Sequence, residues 1–406
     1  MLWFILIFFI IVYLFLFSYK MYKNQFWTYQ PVFHIYDIMK WIHPGGIIRE
    51  KLPDINKYTN LTDIQTYTTD EIINKKMDDI IVDLIVANYI LKERGSKTTY
   101  TPTQNNVFEY LRTNKHKSYC SLFFSPMREK KITAVITARP IYVKFIQTNI
   151  SFCTYYVDNL CVDKGSRKQN IATTMIQTHY YNLRHKNDKI NTCLFKREGK
   201  MNAIVPLCIY DVFCVAIKTI KSLIINTIPS YTSLVLINND NLSLVVEFIR
   251  CKMTEFSCSI KPDEPDLYNL IQTGNLVIYG LMDSVKNTLI SCYVFKLNGI
   301  LYEGCITAEC VASLCGASLC GASLCGASLC DAKELNYLGF VGACIDLEKT
   351  HQCKFIILDD TSNNNYLIDI ISLNNYNNIC FKTTVALFFY NYACYSIDKS
   401  KMFILC

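Results

Sequence analysis

Between Tyr156 and Ile176 (YVDNLCVDKGSRKQNIATTMI) the chain changes its hydrophobic period. Up to Val162 it reads as an apolar β-strand, from Lys164 to Asn170 it is polar and basic, and from Ile171 it reads as a helix. In that helix Ile171, Met175, Ile176, His179 and Leu183 fall on one face, which calls for a sheet to pack against. The exposed first turn offers unpaired backbone N–H groups and the positive dipole end beside Lys164, Arg167 and Lys168. A strand, a basic turn and a helix start make a corner suited to a pyrophosphate. The plainer alternative is a solvated, charged helix cap.

The same alternation runs through most of the chain. Residues 57–217 read as helices and strands in turn, with a helix from Met77 to Ile90 that aligns Ile80, Ile81, Leu84 and Ile85. The run Ile132–Phe145 has strand composition on either side of Arg139-Pro140, which predicts two strands, or one broken at the proline. A second block starts near Leu234 and includes strands at Leu276–Leu281, Thr288–Lys296 and Phe355–Leu358. The segment Lys218–Pro229 is the expected boundary. The fold class expected is α/β (α+β), with halves at 57–217 and 230–406. A chain of 406 residues, 51% hydrophobic, has enough material for two such cores and is not disordered. Its net charge of +7 permits contact with phosphates or an anionic membrane face but is no nucleic-acid footprint. No nucleic acid is expected as a partner.

The first 17 residues, MLWFILIFFIIVYLFLF, carry no charge. At roughly 1.5 Å per residue a helix of that length just spans a thin hydrocarbon core. It lacks the basic start and small-residue end of a signal peptide, and Lys20 and Lys23 follow it. Residues 1–19 therefore read as an uncleaved single-pass transmembrane anchor, with the rest of the chain on the cytosolic side. The 20 cysteines include no Cys-x-x-Cys pair and the six histidines are scattered, so no metal site is expected and most thiols should be buried hydrophobes. Cysteines recur every five residues from Cys305 to Cys330, around copies of Ala-Ser-Leu-Cys-Gly. That segment, 305–330, reads as a surface insert; a short pentapeptide coil and a thiolate cluster are the other readings.

Several stretches together resemble a known family. Arg167-Lys-Gln-Asn-Ile-Ala172 is similar to the phosphate turn of the GNAT acyltransferases, with Asn170 in place of the central glycine. Asn159-Leu-Cys-Val162, followed by Arg167 and Ala172, resembles the corresponding run of eukaryotic N-myristoyltransferases. Phe26-Trp27 and Gln30-Pro31-Val32 resemble that family's aromatic arm, here residues 20–56. Asn88-Tyr89, Tyr100 and Tyr390-Asn-Tyr-Ala-Cys394 match further motifs in the same order.

The resemblance implies two GNAT-like halves, the first binding acyl-CoA and the second peptide. It implies transfer of a myristoyl group from coenzyme A, a co-substrate and not a permanently bound cofactor, to proteins with an N-terminal glycine. A monomer is expected. Coenzyme contacts carry over to Phe26, Trp27, Lys164, Arg167, Lys168, Gln169, Asn170, Ile171 and Ala172. The oxyanion donors would be the backbone N–H groups of Asn159 and Leu160, and the base the terminal carboxylate of Cys406. Peptide contacts would be Tyr100, Ser291, Tyr293, Tyr337, Asp359 and Asn363. Two departures stand out. The family's acidic run appears here as Ile90-Leu-Lys-Glu-Arg94, and its Thr-Ala-Gly as Lys196-Arg-Glu198. They leave room for a homologue that binds acyl-CoA or acylated N-termini without catalysis, or for a GNAT-like enzyme with another amine acceptor.

Overall fold

A computed structural model describes residues 2–23, 25–43, 45–89, 94, 95, 97–126, 130–199, 203–223, 228–316, 329–374 and 378–406. Its centre is the hairpin of Ile132–Phe145 and Ile150–Val162, paired from Ala134↔Val162 to Phe145↔Ile150. Pro140 does not break the first of these strands. On its outer side the strand pairs with Tyr119–Phe124 as far as Ala138 and with Cys258–Lys261 from Tyr142 onward. Pro140 falls in the gap between the two partners. The Tyr155 N–H, opposite Pro140, points the other way to Thr192 O at 3.1 Å. The missing proline N–H therefore forfeits no ladder bond.

From this hairpin one sheet runs through both halves. Beyond Ile150–Val162 come Cys193–Glu198, Ile379–Tyr390, Cys208–Ala216, Phe355–Asp359, Cys305–Cys315, Thr288–Lys296, Leu276–Asp283 and Thr232–Leu236. Two parallel pairs mark the repeat: Ile150–Val162 with Cys193–Glu198, and Cys305–Cys315 with Phe355–Asp359. The connection of each pair carries a helix, Ile171–Lys186 in the first and Leu329–Thr350 in the second. The halves exchange strands. Cys208–Ala216 pairs on both sides with second-half strands, and Ile379–Tyr390 inserts beside Cys193–Glu198. A boundary at 218–229 thus separates the chain in sequence but not in space.

Three further expectations change. The Cys-rich run does not begin as a surface insert. Cys305–Cys315 is a strand held between Thr288–Lys296 and Phe355–Asp359, with Ala308, Cys310, Ala312 and Leu314 all buried. The small and apolar residues of the repeat suit a strand covered on both faces, which sequence periodicity alone does not distinguish from a coil. The rest of the repeat, 317–328, lies outside the described residues. The arm at 20–56 is not extended throughout, because Gln25–Tyr29 and Ile38–Ile42 are short helices. The N-terminal segment is a helix, Leu2–Lys23, that leaves Trp3, Phe4, Phe8 and Phe15 exposed. Among the described residues no helix is long and apolar enough to cross a membrane, so the transmembrane part of that expectation has no support.

The helix Ile171–Lys186 packs as its spacing predicts, with Ile171, Met175, His179 and Leu183 buried. No residue before Phe26 belongs to the described hydrophobic clusters. Deleting residues 1–23 should therefore leave the thermal midpoint unchanged within error. By contrast Leu314→Ala, at 1% exposure inside the Cys-rich strand, should lower stability by about 2–5 kcal/mol in urea unfolding.

Candidate active site

The site opens where two parallel strands part. Ile150–Val162 and Cys193–Glu198 pair only at Tyr155↔Cys193, Tyr156↔Leu194 and Val157↔Phe195. Just beyond, the register with Ile132–Phe145 slips between Val135↔Cys161 and Thr137↔Asp158, so Asn159 and Leu160 together oppose Ile136. Asn159 takes the left-handed conformation, φ 53°, which asparagine tolerates better than most residues. Its Nδ2 donates to Thr137 Oγ1 at 3.1 Å, and its N–H donates to Asp158 Oδ1 at 2.8 Å.

Two cavities meet at this split. One, about 340 Å³, is chiefly apolar and is lined by Trp27, Ile136, Val157, Leu160, Ile176, Leu183 and Phe195 among others. The other, about 410 Å³, is a charged chamber whose walls include Arg94, Arg139, Lys196, Glu198, Lys296, Glu309 and Cys406. Tyr89, Asp158, Asn159, Lys196 and Arg197 line both.

The chamber's charges are mostly paired. Arg94 Nε lies 2.7 Å from Glu198 Oε1, and Lys196 Nζ lies 3.5 Å from Glu309 and 3.6 Å from Asp359. Asn298 Nδ2 also donates to Glu309. Burial works to raise the Glu309 pKa, but Lys196, Arg94 and Lys296 outweigh it and hold it at about 2. For Asp359 burial wins over the attraction of Lys196, and the pKa is pushed up to about 6. Arg139 stacks over Tyr110 and Tyr156 at 4.7 and 5.1 Å, and Lys296 lies 4.7 Å from the Tyr110 ring centroid. Burial, then Arg139, lowers the Lys296 pKa.

The C-terminus reaches this chamber by a strand. Met402–Ile404 pairs in parallel with Cys258–Lys261, Leu405 N–H donates to Ile260 O at 2.8 Å, and Met402 to Leu405 are buried. The apolar tail thus completes a strand and also places Cys406 in the chamber wall, which Arg139, Lys296 and Lys196 line as well.

The basic turn lines neither cavity; it lies in the chain between Leu160 and Ile176, which both line the apolar one. Lys168 and Asn170 both have positive φ, 65° and 59°, and no side chain caps the helix at Asn170. Alternating left-handed residues at a helix start turn successive N–H groups into a concave anion nest. Lys164, Lys168, Gln169 and Asn170 are exposed, Ala172 is half-buried and Ile171 is buried against the sheet. Arg167 is committed inward: its guanidinium donates to Val162 O at 3.2 Å and to Asn88 O, while Asn88 Oδ1 accepts from the Lys164 N–H at 2.9 Å. Arg167 therefore braces the turn onto the end of the helix Asp78–Asn88.

Trp27 stacks on Phe195 with centroids 5.7 Å apart, and Phe26 is buried edge-on against Trp27 and Tyr58. The arm is pinned by Tyr390, which donates to Gln30, and by Asn391, whose N–H donates to Pro31 O at 2.6 Å. Tyr100 lines the chamber, and Asp359 stands behind Lys196. Ser291, Tyr293 and Tyr337 do not line either cavity. They are buried in the second half, Tyr293 donating to Asn336 O at 2.6 Å and Tyr337 to Ile220 O at 3.3 Å. Asn363 accepts from the Cys315 N–H at 3.0 Å, at the end of the Cys-rich strand. Sequence reasoning missed Arg139, Lys296 and Glu309. They lie on three separate strands, and no local spacing links them.

No protein-family model matches the chain, and no curated protein matches it in sequence. Solved structures match it through the fold. A tandem GNAT protein from the clavulanic acid biosynthesis pathway superposes with a TM-score of 0.52 at 10% identity, over 80% of this chain and 98% of that one. The architecture is thus a mixed α/β fold that matches that of a tandem GNAT protein. More fully, it is similar to N-myristoyltransferase of Saccharomyces cerevisiae with bound myristoyl-CoA, at a TM-score of 0.71 and 14% identity, over 94% of this chain and 99% of that one. A second structure of that yeast protein with bound myristoyl-CoA gives 0.69 at 14% identity, over 93% and 90%.

Glu309→Gln tests the chamber's electrostatics. It leaves the buried Arg94 and the half-buried Lys196 with less countercharge and should lower stability at pH 7 by about 3 kcal/mol. The folded pKa of Glu309 lies below its ordinary value of 4.5, so its contribution is complete above that pH and disappears as pH falls toward 2. Urea unfolding between pH 4.5 and 2 should accordingly show a shallower acid dependence in the variant.

Proposed function

We propose that this chain is an acyl-CoA-dependent protein N-acyltransferase that moves a myristoyl or similar long-chain acyl group to the amine of an N-terminal glycine. One observation carries the reading: an apolar cavity and a charged chamber holding the chain's own terminus meet at the bulge of Asn159. The apolar cavity suits an acyl chain, with Trp27 as part of its wall. The nest from Lys168 to Ala172, with Lys164 and Lys168 beside it, suits the coenzyme's pyrophosphate.

In this reading the thioester carbonyl lies at the junction. Its developing oxyanion would be met by the Leu160 N–H and by the Asn159 N–H once released from Asp158. The glycine amine enters from the chamber, where the terminal carboxylate of Cys406 takes its proton. The amine nitrogen then bonds to the acyl carbon, the carbon–sulfur bond breaks, and the thiolate takes the nitrogen's surplus proton and leaves as the coenzyme A thiol. A glycine ammonium has a pKa near 8, so a modest base within reach is enough. The partners of this reaction are proteins that begin with glycine. The exposed apolar helix Leu2–Lys23 is read as holding the enzyme at the cytosolic face of a membrane.

A second reading, binding of acyl-CoA or acylated N-termini without turnover, is favoured by Lys196, Arg197 and Glu198. They put charge where the acyl and amine groups would meet. Transfer of labelled myristate from coenzyme A to a peptide beginning with glycine, with the N-acetylated peptide as control, decides between them. Label on the free peptide alone supports the enzyme. Tight acyl-CoA binding with no transfer supports the second reading. Extending the chain by two glycines after Cys406 should reduce turnover by roughly 10²–10⁴ while acyl-CoA binding persists. Full activity in the extended protein would exclude the terminal carboxylate as base.

A further inference from the structure

Two cations of the chamber have no carboxylate of their own. Arg139, on the first-half strand Ile132–Phe145, and Lys296, at the end of the second-half strand Thr288–Lys296, both line it. They converge on Tyr110, the guanidinium carbon and the ammonium nitrogen each 4.7 Å from its ring centroid. Among the described residues neither side chain makes a hydrogen bond or an ion pair. The carboxylates around them are engaged or stand apart. Glu309, opposite Lys296 in the sheet, is held by Lys196 and Asn298, and Glu198 by Arg94. Asp158 accepts from the Asn159 N–H, and the terminal carboxylate of Cys406 shares the chamber without an ion pair to either cation. Arg94 Nη1 and the Tyr110 hydroxyl are sealed off without a partner, but no nitrogen of Arg139 or Lys296 is. The nitrogens of both cations therefore keep accessible surface, although Arg139 is only 5% exposed, and the chamber is the space they line.

A ring face makes up only part of the hydration that such cations give up, and an anion would make up the rest. Burial, and then Arg139, lower the Lys296 pKa, the direction expected where positive charge is in excess. The chamber is also where the proposed reaction brings in a glycine ammonium, a further positive charge. We propose that the acceptor carries a carboxylate, the side chain of an aspartate or glutamate close behind its N-terminal glycine, and that Arg139 and Lys296 bind it between the two halves of the chain. The inference rests on the reading of the chamber as the acceptor's entrance. It deepens that reading from any protein that begins with glycine to one with an acidic residue at a fixed distance from it. Arg139 offers a planar fork of donors and Lys296 a point charge, so the pair would fix the position of the carboxylate as well as neutralise it.

The test uses the full chain, loaded with a thioether analogue of myristoyl-CoA that cannot transfer its chain, and C-terminally amidated octapeptides that begin with glycine. Each peptide carries one glutamate in an otherwise uncharged sequence, moved from the second position to the sixth, and each has a glutamine counterpart. Binding is followed by calorimetry. The glutamate isomers share one net charge, so only position reports on a fixed site. One isomer should bind about tenfold tighter than the others and than its glutamine counterpart. In the double variant Arg139→Gln with Lys296→Met that preference should vanish. The acyl-CoA analogue should still bind, which shows that the variant is folded, since neither residue lines the apolar cavity. Lys296→Met alone, at a half-buried position, should reduce the preference and serves if the double variant does not fold. A flat profile, with glutamate and glutamine peptides bound alike, would overturn the inference alone. So would a preference that survives in the variants, or an equal loss for both kinds of peptide, which would assign the two cations to the chain's own terminal carboxylate. If the analogue binds but no peptide does, the reading of the chamber as the acceptor's entrance falls, and this inference with it.

Discussion

Two parallel strands that pair for three residues and then separate are the constraint on which the rest depends. Side by side to their ends, Ile150–Val162 and Cys193–Glu198 would leave a closed sheet. The bulge at Asn159 turns the first strand away and frees the main chain there from its ladder. The gap exposes apolar side chains on the side of the helix Ile171–Lys186 and charged ones on the other. A thioester placed in the gap would have its chain in one cavity and its acceptor in the other.

Keeping such a gap open requires support on both sides, and the exchanged strands provide it. Ile379–Tyr390 takes the place beside Cys193–Glu198, and Cys208–Ala216 crosses to lie beside Phe355–Asp359. Each half is therefore completed by a strand from the other. The chain end also comes to the border of the halves: Met402–Ile404 joins Cys258–Lys261, a second-half strand that pairs with the first-half hairpin, and leads to the chamber. The chamber can then hold several buried charges because they are drawn from both halves and pair across them, as Lys196 does with Glu309 and Asp359.

Arg167 shows how a residue type can be legible while its task is not. Its place in a basic turn suggested direct contact with phosphate. In the fold its guanidinium is directed to the carbonyls of Val162 and Asn88, and it is Lys164, Lys168, Gln169 and Asn170 that are exposed. A cation next to a carbonyl-rich helix end is well placed, since helix C-termini leave acceptors unpaired.

Local pattern was enough for the strand–turn–helix unit, because hydrophobic period and the apolar face of Ile171, Met175, His179 and Leu183 depend only on neighbours in the chain. It was enough too for the strands at Leu276, Thr288 and Phe355. It could not tell that Pro140 would sit harmlessly between two edge partners, or that the start of the Cys-rich repeat would be a central strand. Both depend on which strands lie alongside, and pairing between distant segments leaves no local trace. The same holds for the chamber. Arg94, Arg139, Lys196, Lys296 and Glu309 are ordinary residues in sequence, and only the tertiary fold, by gathering them around one chamber with Arg94, Arg139 and Glu309 buried, makes them a site.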